Sequence, residues 1–321
     1  MPNSNMIAAR KAKNDEFYTQ LSDIELELIK YREHFRGKVV YCNCDDARSS
    51  AFFKYFAMGF NILGLKKLIT TSYNPNGRSS KIEIVEVEDF TGDGRVGLED
   101  AEYLLDHSED SLTLLEGDGD FRSEECVSLM QEADIIVTNP PFSLFREFVS
   151  QLIEHDKQFL ILGNINAITY REIFPLLKEN RMWLGVNANK TMEFRLADSY
   201  LKWSRVDDEG NKYGKVPGIT WYTNLEHGRR EEELLLYKRY TPEEYPHYDN
   251  YDAINVNRVA NIPLDYDGVM GVPITFMTKY NPEQFEILGD ERDLNIEKGR
   301  GYINGKRMYG RIFIKRKEEQ Q

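Results

Sequence analysis

Cysteine is scarce in this chain. Only Cys42, Cys44 and Cys126 occur in 321 residues, an odd number with no framework spacing. That excludes a disulfide-stapled secreted scaffold and indicates reduced thiols, as in the cytoplasm. Cys42-x-Cys44 is too tight for the usual zinc pair and has no second pair, so a zinc module is excluded as well. Histidine is also sparse, and His107, His155 and His247 show no ligand spacing, which leaves metal catalysis without support. No apolar run approaches the roughly 18 residues a membrane span requires. The opening MPNSNMIAARKAKNDEF is polar and basic with no apolar core, so it does not read as a secretory signal. Repeats and low-complexity tracts are absent. The expected setting is cytoplasmic, without a membrane partner.

What is present fits a globular α/β protein. Hydrophobic residues make up 41% and aromatics 12% of the chain, enough for one large domain and a smaller module. The net charge of −13 is unevenly spread. Residues 81–135 hold 18 acidic side chains against 3 basic ones, leaving 38 basic against 36 acidic elsewhere. The acidity is therefore one local block. Outside it, Arg10, Lys11 and Lys13, or Lys306, Arg307, Arg311, Lys315, Arg316 and Lys317, are candidates to face phosphates; solvated surface charge is the plain alternative for each.

Hydrophobic patterning predicts a helix over 21–35 capped by Ser22, then a strand at Lys38–Cys44 ending in Asp45-Asp46, a helix through SSAFFKYFAM, and a strand over 66–73. An acidic insertion from about 76 to 116 interrupts this alternation. It resumes with a helix at 123–132, the strand DIIVT ending at Thr138, the helix FSLFREFVSQLIEH, the strand KQFLILG, the helix YREIFPLLKEN and the strand RMWLGV. Such alternation predicts a doubly wound sheet with right-handed crossovers. Beyond about residue 187 the rhythm fails and glycine, proline and polar residues become frequent. The expected division is residues 1–227 for the α/β domain and 228–321 for an irregular second region.

Asn139-Pro140-Pro141-Phe142 follows a buried-type strand and precedes a helix, where an open α/β sheet places its active-site loop. These residue types suit methyl transfer to an aromatic amine. The lone pair of an adenine amino group is conjugated into the ring. Acceptors on both of its N–H bonds, the Asn139 side-chain oxygen and a carbonyl of the Pro-Pro stretch, would pull the nitrogen toward tetrahedral geometry and free that pair. The prolines restrict φ and stiffen the loop, and Phe142 offers a face for an extruded base. Alternatively, the four residues form only a rigid strand-to-helix turn.

Ordered stretches along the whole chain extend this reading: DEFYTQ at 15–20, VVYCNCDD at 39–46, FFKYF at 52–56, LGLKKLI at 63–69, GDGDFRS at 117–123, TNPPFSLFRE at 138–147, WLGV at 183–186, TNL at 223–225, YDNYDAINVN at 248–257, IPLDYDGVMGVPITF at 262–276 and NPEQFE at 281–286. Through them the chain resembles the EcoRI-type DNA adenine-N6 methyltransferases. The resemblance implies a Rossmann-like methyltransferase sheet, S-adenosylmethionine as cofactor, duplex DNA as partner and a flipped-out adenine as target. As half of a restriction-modification pair such an enzyme has a cognate restriction endonuclease acting separately; as an orphan or phage enzyme it has none, and the resemblance leaves both open. In that pattern Asp15, Phe17, Tyr18 and Thr19 match the N-terminal cofactor motif. Asn43, Asp45 and Asp46 end the strand where the methionine part of the cofactor lies. Asp120 and Phe121 match the motif that meets its adenine, and Asp118 beside them is a further cofactor-binding candidate. Turn formation or helix capping is the alternative for Asp45, Asp46 and Asp118. The chain departs from the wider methyltransferase pattern in two places. Asp45-Asp46-Ala47 stands where a glycine-rich loop is usual, and Ser72-Tyr73-Asn74 carries no ribose-binding acid.

Within the acidic insertion, DFTGDGRVGLED at 89–100 parallels a calcium loop, with Asp89, Thr91, Asp93, Arg95 and Asp100 at ligand positions and Gly94 at the turn. Thr91 and Asp100 depart from the usual residues there, and a glycine turn before an acidic helix is the alternative. Sequence recognition is expected downstream of the tetrapeptide. Aromatics and amides cluster in YPHYDNYDAINVN, and one of Trp221, Tyr222 and Asn224 is a candidate for the base pocket; core packing is the alternative for each tyrosine. Two other functions remain open on the sequence: methylation of RNA adenine or a protein glutamine amide, and a nucleic-acid-binding relative without catalysis.

Overall fold

The computed structural model describes residues 18–44, 50–94, 96–97, 99–100, 102–103, 112–196, 203–296 and 299–317. The chain divides into two compact units. The first comprises Met1–Ile165 and Gly185–Leu225, the second Asn166–Leu184 and Glu226–Gln321. Residues 166–184, expected with the α/β domain, thus cluster with the C-terminal region.

The first unit is built on strands β1 (Tyr18–Thr19), β2 (Val39–Cys42), β3 (Lys67–Thr71), β4 (Ser80–Ile84), β5 (Leu112–Leu114), β6 (Ile135–Thr138) and β7 (Gln158–Asn164). After β8 (Trp183–Leu184), which falls in the second unit, come β9 (Glu193–Leu196), β10 (Arg205–Val206), β11 (Lys212–Lys215) and β12 (Ile219–Thr223). The main sheet of this unit runs β5-β4-β3-β2-β6-β7-β12. Strands β3, β2, β6 and β7 are mutually parallel, while β4, β5 and β12 run antiparallel to their neighbours. Every residue of β2 and β6 is buried, as expected of parallel strands covered on both faces. The acidic insertion supplies β4 and β5, so it extends the sheet at one edge. The chain passes from β2 outward to β3, then returns to β6 on the other side of β2. This reversal creates the crevice at the strands' carboxyl ends where α/β sheets hold ligands.

Local chemistry starts the flanking helices. The Ser50 hydroxyl accepts from the Phe53 N–H at 3.1 Å and caps Ala51–Met58. Ser123 does the same for Glu124–Glu132 through Cys126 N–H at 3.3 Å, with Glu124 and Glu125 in the first turn where the helix dipole favours them. Helix Phe145–Glu154 buries Phe145, Phe148, Val149 and Leu152, one stripe at helical spacing. The predicted helix over 21–35 is instead segmented into Leu21–Leu28, a 3-10 turn at Ile29–Tyr31 and Arg32–Phe35. It begins after Gln20, which makes no side-chain cap bond, so Ser22 lies inside the first turn.

A smaller antiparallel sheet, β1-β9-β11-β10, lies within the same unit. Tyr18 pairs with Arg195 and Thr19 with Phe194, joining the N-terminal stretch to a region whose sequence carried no regular rhythm.

The second unit carries β13 (Ile254–Asn255), β14 (Met270–Val272), β15 (Phe285–Asp290), β16 (Tyr302–Ile303), β17 (Lys306–Arg307) and β18 (Ile312–Arg316). Four form a sheet, β13-β14-β18-β15, and β16-β17 is a hairpin. Its turn, Asn304-Gly305, has φ of 50° and 71°, the left-handed pair that a two-residue type I′ turn needs. Tyr248, Ala253, Ile296 and Phe313 form a local core. Of the helix expected at 170–180 only Phe174–Lys178 forms, with Pro175 in its first turn.

Candidate active site

The loop of interest grows from adjacent strand ends. Val40 lies opposite Ile135 and Tyr41 opposite Ile136, so β2 and β6 finish side by side. The Thr138 hydroxyl, at the last position of β6, donates to the Asn43 carbonyl just beyond β2. Asn139 follows, half-buried, and Pro140 is buried. Pro141 sits at φ −55° and ψ 122° and opens the 3-10 turn Phe142–Leu144; its carbonyl accepts the Leu144 N–H at 2.9 Å. Phe142 is partly buried against the main core. The far end is anchored by Phe145, whose ring lies 5.1 Å from that of Tyr222. A Cβ on Gly163 would stand 2.5 Å from Phe145 Cε2, so glycine at 163 makes room for this anchor.

Two residues of the expected cofactor set carry polar atoms that find no partner among the described residues. Asn43 is 1% exposed, and among the described residues neither its Oδ1 nor its Nδ2 finds a hydrogen-bond partner. Thr19 is 8% exposed with an unpartnered Oγ1. A buried polar group left this way costs about 1–3 kcal/mol, a penalty that a polar ligand removes. Both positions therefore fit a bound polar cofactor. Tyr18 is described as part of β1, while Asp15, Phe17, Asp45 and Asp46 lie outside the described residues.

The Gly117–Phe121 loop is pinned across the chain leaving β3. Ser79 N–H donates to Gly117 O at 3.0 Å and Asn74 N–H to Asp118 O at 2.7 Å. Gly119, at φ +81°, has no room for a side chain because a Cβ would meet the Ser72 carbonyl at 2.0 Å. Glu125 accepts from Glu116 and Gly117 N–H at 3.0 and 2.9 Å. Asp118 Oδ1 accepts the Asp120 N–H at 3.0 Å, a local turn bond. Asp120 is paired with Arg122, Nε to Oδ1 at 2.8 Å, and this guanidinium holds the carboxyl below its usual range. Arg122 also reaches Glu147 at 3.4 Å. The Phe121 ring is buried edge-on against Phe148 at 5.1 Å, and its carbonyl accepts from Gln151 Nε2 at 3.2 Å. Sequence reasoning missed Thr138, Gly119 and Arg122. A hydroxyl ending an otherwise apolar strand and a glycine between two aspartates were the available signals.

Other expectations are corrected. The Asp89 carboxylate accepts the N–H groups of Gly92, Asp93 and Gly94 at 2.6, 3.2 and 2.7 Å. Asp100 accepts those of Thr91 and Gly97 at 2.9 and 2.7 Å. Both carboxylates bind the loop's own backbone. Among the described residues, no group of three or more His, Cys, Asp or Glu side chains could hold a metal ion. The calcium assignment to Asp89, Thr91, Asp93 and Asp100 is thus not supported, and Arg95 lies outside the described residues. Trp221 and Tyr222 are buried in β12, Trp221 edge-on to Phe52 at 5.9 Å. Asn224 bridges Phe159 N–H and Lys157 O at 2.8 and 2.9 Å. All three serve packing. Tyr245 and Tyr248 are likewise buried core residues.

A parallel-centred sheet with an Asn-Pro-Pro-Phe loop at its carboxyl edge is the arrangement of an α/β methyltransferase. Residues 5–317 match the family described as adenine-specific methyltransferase EcoRI, and the chain belongs to that family. It is 49% identical to the Type II methyltransferase M.EcoRI of Escherichia coli, over 98% of this chain and 96% of that protein. It is 39% identical to the Type II methyltransferase M.MpnI of Mycoplasma pneumoniae, over 97% of each. It is 38% identical to M.MgeORF184P of Mycoplasma genitalium, over 97% of this chain and 98% of the relative. Among the described residues no helix is long and apolar enough to cross a membrane.

Proposed function

We propose that the chain methylates N6 of an adenine rotated out of duplex DNA, with S-adenosylmethionine as donor. The observation that carries this is the placement of Asn139–Phe142 directly after β6, tied through Thr138 to Asn43 at the end of β2. The cofactor supplies an activated methyl group, so no protein nucleophile is required. Asn43 and Thr19 offer the unpartnered polar atoms to hold it, with Asp15, Phe17, Tyr18, Asp45, Asp46 and the Asp118–Phe121 loop completing its site. Because Asp120 is already paired with Arg122, it meets the adenine end of the cofactor as an oriented acceptor rather than a mobile one. The Asn139 side-chain oxygen accepts one N–H of the target amine. Since Pro141 O is engaged by Leu144, the Pro140 carbonyl is the acceptor for the other. Together they draw the lone pair out of conjugation. Phe142 stacks on the extruded base.

In this reading the first unit is catalytic and the second contributes to DNA recognition. A cognate restriction endonuclease, acting separately, is the partner in keeping with the Type II relatives. Tritiated-methyl transfer to duplex DNA, RNA and protein tests the proposal. Label is expected in duplex DNA at adenine N6; none in any duplex, with cofactor binding intact, would overturn it.

A further inference from the structure

The second unit contains a pocket of about 450 Å³ lined by Asn166, Thr169, Arg292, Arg300, Tyr309 and Arg311, among others. Its acidic side chains, Asp290 and Glu291, are buried and committed. Asp290 accepts from Arg292 Nε at 2.7 Å. Glu291 pairs with Arg300 at 3.3 Å and accepts the Arg311 backbone N–H at 2.9 Å. Three guanidinium groups thus meet two carboxylates, and the surplus charge sits on Arg311. That residue is 9% exposed. Its Nε donates to Asn255 Oδ1 at 3.2 Å, and its Nη1 reaches the Tyr309 and Gly310 carbonyls at 3.5 and 3.4 Å. Asn255 is in turn held by the Tyr248 hydroxyl at 2.9 Å. No carboxylate pairs with the Arg311 guanidinium among the described residues. A buried cation supported by neutral acceptors alone is costly, and a bound anion offsets that cost.

We propose that this pocket binds a backbone phosphate of the DNA substrate, with Arg311 as the charged contact. The inference rests on the DNA methyltransferase reading and extends it to a residue of the second unit. One surplus positive charge matches one phosphodiester. Arg292 is committed to Asp290 through Nε and Nη2 and Arg300 to Glu291 through Nη1, whereas a phosphate needs only the unneutralised charge of Arg311. Lys306 and Arg307, exposed on the β16-β17 hairpin shortly before Arg311 in the chain, add positive charge nearby in sequence. Phosphate contacts position a duplex without reading its sequence.

The test is anisotropy binding of the full chain to target and non-target duplexes at several salt concentrations. Arg311→Gln should weaken both by about tenfold at low salt and reduce the slope of log K against log salt by about 0.9, one phosphate's worth, with S-adenosylmethionine affinity unchanged. Because Arg311 is packed, Thr169→Asp provides a second arm: it places a negative charge on an exposed wall and should weaken both duplexes while melting as the parent does. Wild-type affinity and salt slope in folded Thr169→Asp and Arg311→Gln would overturn the proposal, as would a loss confined to the target duplex. Failure of the unmutated chain to bind or methylate any duplex would instead count against the DNA reading itself.

Discussion

Replacing Glu27 should loosen the catalytic unit far more than an ordinary helix substitution. Glu27 is fully buried. Its Oε1 accepts from Val186 N–H at 2.7 Å and the Tyr31 hydroxyl at 3.0 Å. Its Oε2 accepts from the Asn187 backbone and side-chain amides at 2.8 and 2.9 Å. Burial pushes the carboxyl above its usual range, and the four donors oppose this only in part. Glu27→Ala strands these donors, each at about 1–3 kcal/mol where water cannot reach. Relief of the carboxylate's own desolvation, several kcal/mol, works the other way. With Val186 and Asn187 half-buried and able to recover water, the net loss should be about 2–4 kcal/mol. At roughly 2–4 °C per kcal/mol for a chain of this size, that is about 5–15 °C in Tm. Glu27→Gln keeps the shape and one acceptor oxygen and should cost about half as much. The same contact can be broken from the other side. A Cβ on Gly185 would fall 2.3 Å from Glu27 Oε1 and 2.6 Å from Trp221 Cβ, so Gly185→Ala should cost about 1–3 kcal/mol by overpacking. The double variant should lose less than the sum, since removing the carboxylate frees that space. Thermal melts of the parent and the four variants decide the matter. Glu27→Ala within 1 °C of the parent, or strict additivity of the pair, would refute the reasoning.

Three further outcomes follow from the geometry. Asn139→Ala should lower kcat by at least about 10²–10³-fold, the scale of losing one preorganised polar group, with S-adenosylmethionine affinity nearly unchanged; turnover at the parent rate would remove its role. Gly119→Ala forces a side chain toward the Ser72 carbonyl from a left-handed backbone and should raise the cofactor Kd more than tenfold; titration calorimetry with the parent's affinity would show that this loop does not meet the cofactor. His227 lies with Nε2 3.0 Å from the Leu184 carbonyl, and burial lowers its pKa below the usual value. The neutral ring is therefore favoured by folding. Its stabilisation is complete above the unfolded pKa near 6.5 and is lost as pH falls through the folded value. Melts from pH 7.5 to 5 should show a decline that His227→Gln reduces; identical profiles would contradict the assignment.

The central strands were legible because β2, β3, β6 and β7 read as short apolar runs between polar or glycine breaks, and their burial is set by that composition. The position of the tetrapeptide was legible for a related reason: its proline pair, strand and helix are contiguous in the chain. The interruption of helix 21–35 and the shortening of helix 170–180 were not legible, because periodic apolar spacing does not report where tertiary contacts break a helix.

The sequence by itself determined the α/β class, the strand-to-helix position of the Asn-Pro-Pro-Phe loop and the family. These depend on local periodicity and contiguous residues. Tertiary structure alone decided how distant residues are used. It pairs Tyr18-Thr19 with β9 and buries the Asn43 amide with no partner among the described residues. It spends Asp89 and Asp100 on their own backbone and Asp120 on Arg122. It also brings Arg292, Arg300 and Arg311 to one pocket. Hydrogen-bond partners and burial are set by which segments the fold brings together, and a carboxylate or guanidinium carries no mark in the sequence of whether its partner is a ligand, a neighbour or its own main chain.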